Sequence, residues 1–196
     1  AASEKSKFTS LFTALEGKYI GLPETANLTG TFKQAKNVLV VGATDSLNHV
    51  KNYSSRGPTY DGRIKPELVA YGGEGSSDAA ALVSGAAGYL MNYSSKQFSS
   101  KLSSAEVKAI LIAGAKDIHQ SGPDYLSGFG QMSLSNSLEI INKRHWFSDS
   151  LITNREFLLS VPEQRSEIKI ILYWHDPSAA LDAPKALIND LDMVFI

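Results

Sequence analysis

The sequence predicts an α/β fold with a parallel sheet covered by helices, and three stretches carry that expectation. Val38-Leu39-Val40-Val41 is an unbroken, largely β-branched apolar run ending at Gly42, the pattern of a strand buried on both faces. From Ser77 onward, apolar residues recur at Ala79, Leu82, Val83, Ala86, Leu90 and Met91, the spacing of one helical face. A second helical stripe, Val107, Ile110, Leu111 and Gly114, comes after Ser103-x-x-Glu106, which has the form of a capping box.

Composition narrows the field. A chain of 196 residues can bury one substantial core or hold one domain and part of another. The formal net charge of -1 leaves no polybasic footprint for nucleic acid or an anionic membrane surface, so neither is expected as a partner. At 43% hydrophobic and 20% charged residues the composition is that of a folded globular protein. The absence of cysteine rules out disulfide and thiol chemistry. No apolar run is long enough to span a bilayer, and Ala1-Ala2-Ser3-Glu4-Lys5 lacks the apolar core of a secretion signal. The sequence therefore reads as a mature or internal segment.

Taken in order, Phe8, Leu11, Phe12 and Leu15 have helical spacing, and Gly17, Gly21, Pro23 and Gly30 then break the pattern, which predicts a short helix followed by loop. Asn-x-Ser/Thr triplets occur at Asn27, Asn52 and Asn92; such triplets are frequent by chance. The strand at 38–41 comes next. Ser54-Ser55-Arg56-Gly57-Pro58 is a turn-rich loop, and Asp61 to Ala70 reads as a Gly/Pro turn, a charged tip and a short strand. Gly75-Ser76-Ser77-Asp78 then opens the long helix. Its small residues, Ala80, Ser84, Gly85 and Gly88, predict a central helix packed on all sides. On spacing alone, the opening reads as a turn with an N-cap. It also reads as a hydroxyl placed at a helix start, where free amides and the dipole favour a developing anion.

Four blocks in order carry a resemblance: Val41-Gly42-Ala43-Thr44-Asp45, Ser54 to Pro58, Asp61 to Ala70, and Gly75 to Gly85. Together they resemble the segment leading to the nucleophile in subtilisin-like serine peptidases, the subtilases. Gly75, Ser77, Ala79, Val83 and Gly85 fall on the nucleophile motif Gly-Thr-Ser-x-Ala-x-Pro-x-Val-x-Gly. The helix at 107–115 and the turn Gly128-Phe129-Gly130 are similar to the helix and turn that come after the serine helix in that family, where the turn has no chemical role. The resemblance implies that residues 1–147 are the C-terminal half of a subtilisin-like parallel-sheet domain and that Ser77 is the catalytic nucleophile of a serine endopeptidase. It also implies a polypeptide substrate and a secreted or cell-envelope location.

Acyl transfer by this route needs an imidazole to take the serine proton, a carboxylate to orient it and donors for the oxyanion. Subtilases place aspartate and histidine N-terminal to the serine, the histidine in a His-Gly-Thr-His-like motif. His49 is followed by Val50 and Lys51, while His119, His145 and His175 all come after Ser77; all four are expected to be ordinary surface or packing residues. Asn27 follows Glu-Thr-Ala rather than Ala-Ala-Gly and is not assigned the oxyanion role. The remaining N-terminal part of the catalytic domain is thus the expected partner of this chain. Two departures from the family pattern matter. Asp78 stands where an apolar residue, usually methionine, follows the serine, and Val69-Ala70-Tyr71-Gly72 joins Gly75 almost directly, where subtilases insert one wall of the specificity pocket. A catalytically inactive homologue acting as a binding or scaffold module is the alternative that these departures favour.

Beyond Trp146 the texture changes. Ile168 to Trp174 and Ala186 to Ile196 read as strands. Tyr173-Trp174-His175-Asp176-Pro177, followed by Leu187-Ile188-Asn189-Asp190-Leu191-Asp192, resembles the opening of the β-sandwich appended to some bacterial alkaline subtilases. Residues 148–196 are therefore expected to be the first strands of a β-sandwich, a fold that takes about 100 residues. Asp176, Asp190 and Asp192 are hard oxygen donors of the kind calcium uses, so structural calcium at Asp190 and Asp192 is the one cofactor expected; alternation on a solvated strand explains the same two residues.

Overall fold

The structure is a computed structural model that describes residues 28, 31–119, 121–150, 155–158 and 168–194. Helix α1 (Thr31–Gln34) leads to strand β1 (Val41–Thr44), strand β2 (Leu68–Tyr71), and helices α2 (Ser76–Phe98), α3 (Ser104–Gly114) and α4 (Leu134–Asn142). The helix expected around Phe8 to Leu15 lies outside the described residues.

β1 and β2 are parallel, with Val41 opposite Leu68 and Thr44 opposite Tyr71. Single bridges widen this pair: Val50 joins Thr44, Gln131 joins Val69 in parallel, and Lys116 joins Gln131. Parallel strands leave both faces to be covered, and the sequence supplies small or branched residues for it. Ala43, Leu68, Val69 and Ala70 are all buried. The β1 ladder begins later than the apolar run predicts. Val38 is about half exposed, and its carbonyl accepts from lysine side chains rather than from a neighbouring strand.

α2 crosses the sheet and buries Ala79, Val83, Ala86, Leu90 and Ser94, spaced four, three, four and four apart, which is one stripe of a helix. Beside it, α3 and α4 add Leu111 and Ile141, both fully buried. α3 starts with the predicted capping box: Ser103 Oγ accepts from the Glu106 amide, and the Glu106 carboxylate accepts from the Ser103 amide. The helix at 76–98 is not enclosed on all sides as its small residues predict. Ala80, Ala81, Ser84, Gly85 and Gly88 are exposed, as are Leu82 and Tyr89, at 48% and 49%. Small side chains let a partner approach closely, but no described residue covers this face.

The charges of the Asp61–Ala70 segment turn inward. Lys65 is 2% exposed and Glu67 5%. Glu67 Oε1 accepts from Lys65 Nζ at 2.5 Å and from Lys108 Nζ of α3 at 2.7 Å, and Oε2 accepts from the Val40 amide at 2.7 Å. Both ammonium groups also donate to the Val38 carbonyl, at 2.7 and 3.0 Å. One carboxylate thus joins the lead-in to β1, the lead-in to β2, and α3. Buried charge survives only when paired and hydrogen-bonded, and here each hydrogen bond to the Glu67 carboxylate comes from an ammonium or amide donor. Burial lowers the Lys65 pKa from 10.5 to about 8, against the opposing pull of Glu67.

Residues 168–194 contain no strand, contrary to the two strands expected there: a strand exists by its ladder, and no described neighbour offers one. The segment is held by polar contacts instead. Asp176 is buried and accepts from Lys36 Nζ at 2.7 Å and from the amides of Ile188 and Asn189, each at 2.8 Å. Asn37 Nδ2 donates to the Asp176 carbonyl at 2.9 Å. The Ala186 amide donates to Asp61 at 2.9 Å, and Lys108 Nζ sits 4.9 Å from the centre of the Tyr173 ring. Burial would raise the Asp176 pKa, but Lys36 and the two amides prevail and hold it at about 2.

Glu67→Ala leaves two buried ammonium groups without their counter-charge and is expected to destabilise the protein by about 3–5 kcal/mol in chemical denaturation. Because Lys65 loses its proton more easily folded than unfolded, the unfolded state binds more protons between pH 8 and 10.5, and the Lys65 contribution to stability rises with pH across that window. Lys65→Met removes this rise, and unfolding midpoints at pH 7.5 and 10 measure it. Asp176→Asn keeps an acceptor but loses the charge facing Lys36; hydrogen exchange of the Ile188 and Asn189 amides is expected to accelerate while exchange in α2 stays unchanged.

Candidate active site

The carboxyl ends of β1 and β2 meet the start of α2 through four residues, Gly72 to Gly75. In open α/β sheets this edge is where ligands and reacting groups gather. The connection is pinned at its first residue: the Gly72 amide donates to the Thr44 carbonyl at 3.0 Å, and Tyr53 Oη donates to the Gly72 carbonyl at 2.7 Å. Only glycine fits there. A Cβ on Gly72 would stand 2.6 Å from the Gly75 carbonyl oxygen and 2.8 Å from Ala43 Cβ. At the other side of β2, Gly128 and Gly130 have positive φ angles of 66° and 112°, and a Cβ on Gly128 would lie 2.2 Å from the Pro66 carbonyl oxygen. The turn expected to be free of chemistry is a packing turn.

Gly75 is the N-cap of α2 and offers no side-chain cap. Ser77 is therefore the second residue of the helix, and it is exposed. The start of α2 is the positive end of its dipole, which suits negative charge developing on a carbonyl oxygen beside Ser77. Among the described residues that hydroxyl makes no hydrogen bond. Asp78 reaches back across the helix start: Oδ2 accepts from the Glu74 amide at 2.9 Å. Beside this corner an open apolar groove of about 750 Å³ runs along the exposed face of α2, bordered by Tyr71, Asp78, Leu82, Tyr89 and Met132.

Among the described residues no histidine reaches Ser77. His49 is exposed beside Asp45, 3.4 Å away, and His119 lies 3.7 Å from Asp124; His175 packs edge-on against Tyr173. Asn27 lies outside the described residues. Asp190 and Asp192 are exposed, and Asp176 is taken by Lys36. Among the described residues no group of three or more histidine, aspartate or glutamate side chains is gathered to hold a metal. No described helix is long and apolar enough to cross a membrane. The sequence reading missed Tyr53, whose hydroxyl braces the glycine connection from 19 residues away, and no local pattern marks it.

The serine thus stands at the exposed start of a helix, behind a tight glycine turn at the carboxyl edge of a parallel pair of strands. Residues 12–130 match the model of the subtilase family, Peptidase_S8, and the chain belongs to that family. It is 29% identical over 199 residues to a serine protease/ABC transporter B family protein of Dictyostelium discoideum, covering 74% of this chain and 11% of that protein. It is 31% identical over 131 residues to a subtilisin-like protease of Arabidopsis thaliana, covering 56% of this chain and 12% of that protein. The chain thus spans about a tenth of the length of these relatives. Among solved structures, the Clostridium perfringens protease CspB is 28% identical with a TM-score of 0.48, over 56% of this chain and 28% of that one. The patellamide maturation protease is 21% identical with a TM-score of 0.45, over 55% and 44%.

Gly72→Ala is expected to force Gly75 and Ala43 apart and displace the start of α2. The cost is about 1–3 kcal/mol in denaturant unfolding, and hydrogen exchange is expected to quicken at residues 72–78 while exchange in α4 stays as in the parent protein.

Proposed function

We propose that this chain carries the nucleophile of a serine endopeptidase. Ser77 Oγ attacks a peptide carbonyl as its proton passes to a histidine; the peptide C–N bond then breaks, the histidine gives that proton to the departing amine, and the acyl group stays on Ser77 until water hydrolyses the ester. The Ser77 backbone amide is one oxyanion donor. The histidine, the aspartate that orients it and the second donor come from outside this chain, N-terminal to it. What supports the reading is the position of Ser77: exposed, unbonded, and at the start of a helix whose other exposed face is lined with small and apolar residues. That face, with the groove between Tyr71 and Tyr89, is where the remaining part of the catalytic domain docks.

Asp78 and the four-residue connection favour a second reading, a catalytically inactive homologue that binds or scaffolds. A carboxylate close to an oxyanion raises its energy, and a short connection removes a pocket wall. The Glu74 amide donates to the Asp78 carboxylate and offsets part of its charge, which weakens the objection and makes peptidase the preferred function. A secreted or cell-envelope location, a β-sandwich opened by residues 148–196, and calcium bound with help from Asp190 and Asp192 belong to the same proposal.

A fluorophosphonate probe applied to the full-length protein is expected to label Ser77. Ser77→Ala is expected to abolish labelling and peptide hydrolysis while moving stability by no more than about 0.5 kcal/mol, as for other exposed substitutions. A folded wild-type protein that takes no label is an inactive homologue.

A further inference from the structure

We infer that Asp78 is a positioning residue: by holding the Glu74 amide it fixes the connection between β2 and α2, and with it the place of the Ser77 hydroxyl. The inference rests on Ser77 being the nucleophile. Three of the four connecting residues are glycine, and glycine gives up more backbone freedom on ordering than any other residue. Gly72 is pinned by Thr44 and Tyr53. After Gly72 the backbone has little to hold it, since Gly75 brings no side-chain cap. The contact that closes this span is Glu74 N–H to Asp78 Oδ2 at 2.9 Å, assisted by Asp78 N–H to the Gly75 carbonyl at 3.2 Å.

The third residue of the helix reaches back past the N-cap, Gly75, to the amide of the residue before it. It places the anchor one residue from the nucleophile and makes a ring of Glu74, Gly75, Ser76, Ser77 and Asp78. A shift of the ring moves Ser77 with it, and small displacements of a reacting group cost disproportionately in rate. The short connection and the carboxylate after the serine, two departures from the family pattern, thus belong together. A four-residue link cannot brace itself by packing, so an acceptor on the helix braces it. The carboxylate is committed to the Glu74 amide, which offsets part of its charge beside the oxyanion, and an uncharged acceptor does the same work.

The test uses full-length protein with Asp78, Asp78→Asn and Asp78→Ala. Two quantities are read: hydrogen exchange of the Glu74 amide, and the rate of fluorophosphonate labelling at Ser77 separated into maximal rate and probe affinity. Exchange at Leu90 reports that α2 remains folded. Asp78→Ala is expected to speed Glu74 exchange about tenfold and lower the maximal labelling rate about three- to tenfold with affinity unchanged, as expected for one lost charged hydrogen bond. Asp78→Asn is expected to restore both to within about threefold. Unchanged exchange in Asp78→Ala overturns the inference. So does faster exchange with an unchanged labelling rate, or an asparagine variant as impaired as the alanine one. A folded wild type that takes no label overturns the nucleophile reading itself, and the catalytic positioning with it, whereas an effect confined to the variants concerns Asp78 alone.

Discussion

Glu67 is the residue on which the rest of the structure depends. Its carboxylate lies under the sheet at the amino ends of both strands, with an ammonium from its own segment, an ammonium from α3 and an amide from the β1 lead-in all donating to it. Hydrophobic contacts between Ala43, Leu68 and Leu90 are non-directional and would tolerate a slide of one strand on the other. Hydrogen bonds to a buried charge would not, because an unpaired buried ion costs several kcal/mol. The knot therefore sets register and depth, and α2 can then rest on the sheet with small residues alone.

The two ends of the strands are used differently. Stability is concentrated at the amino ends, where Lys65, Glu67, Lys108, Lys36 and Asp176 meet. The carboxyl ends carry the glycine connection, the exposed serine and the groove. This division leaves the serine corner, built largely from glycine, open on one side among the described residues. The exposed face of α2 has the same logic: a helix of alanines, serines and glycines is stable only if other elements add to it, and the described residues supply cover along a single stripe.

Much of this was legible from the residues. The two parallel strands, the capped α3 and a helix beginning at the serine are dictated by periodicity, β-branching and caps, all of which act over a few residues. Enclosure of α2 was not, because small residues report how closely a partner can approach and not whether it is present. Lys65 and Glu67 look like surface charge in a linear reading, and only the return of Lys108 from α3, 41 residues on, makes them a buried network. Ile168 to Trp174 has strand composition without a strand, since composition cannot provide the neighbouring ladder. Ser77 stood out through four ordered blocks that carry the family resemblance, whereas Tyr53 depends on a contact 19 residues away and the bond made by Asp78 on the backbone turn at Glu74.

The way Asp176 is held has a mechanical consequence. Pulling on the segment after residue 168 would load Lys36, Asn37 and Asp61, all at or before the amino ends of the strands, and Lys108 beside the Glu67 knot. Through Lys169 it would also load the carbonyls of Ala115 and Phe129, so the path of force enters the domain around the Glu67 knot and the flank of β2, at none of the residues from Gly72 to Asp78. A load applied through this segment can tug or tether the domain with the geometry at Ser77 left as it was.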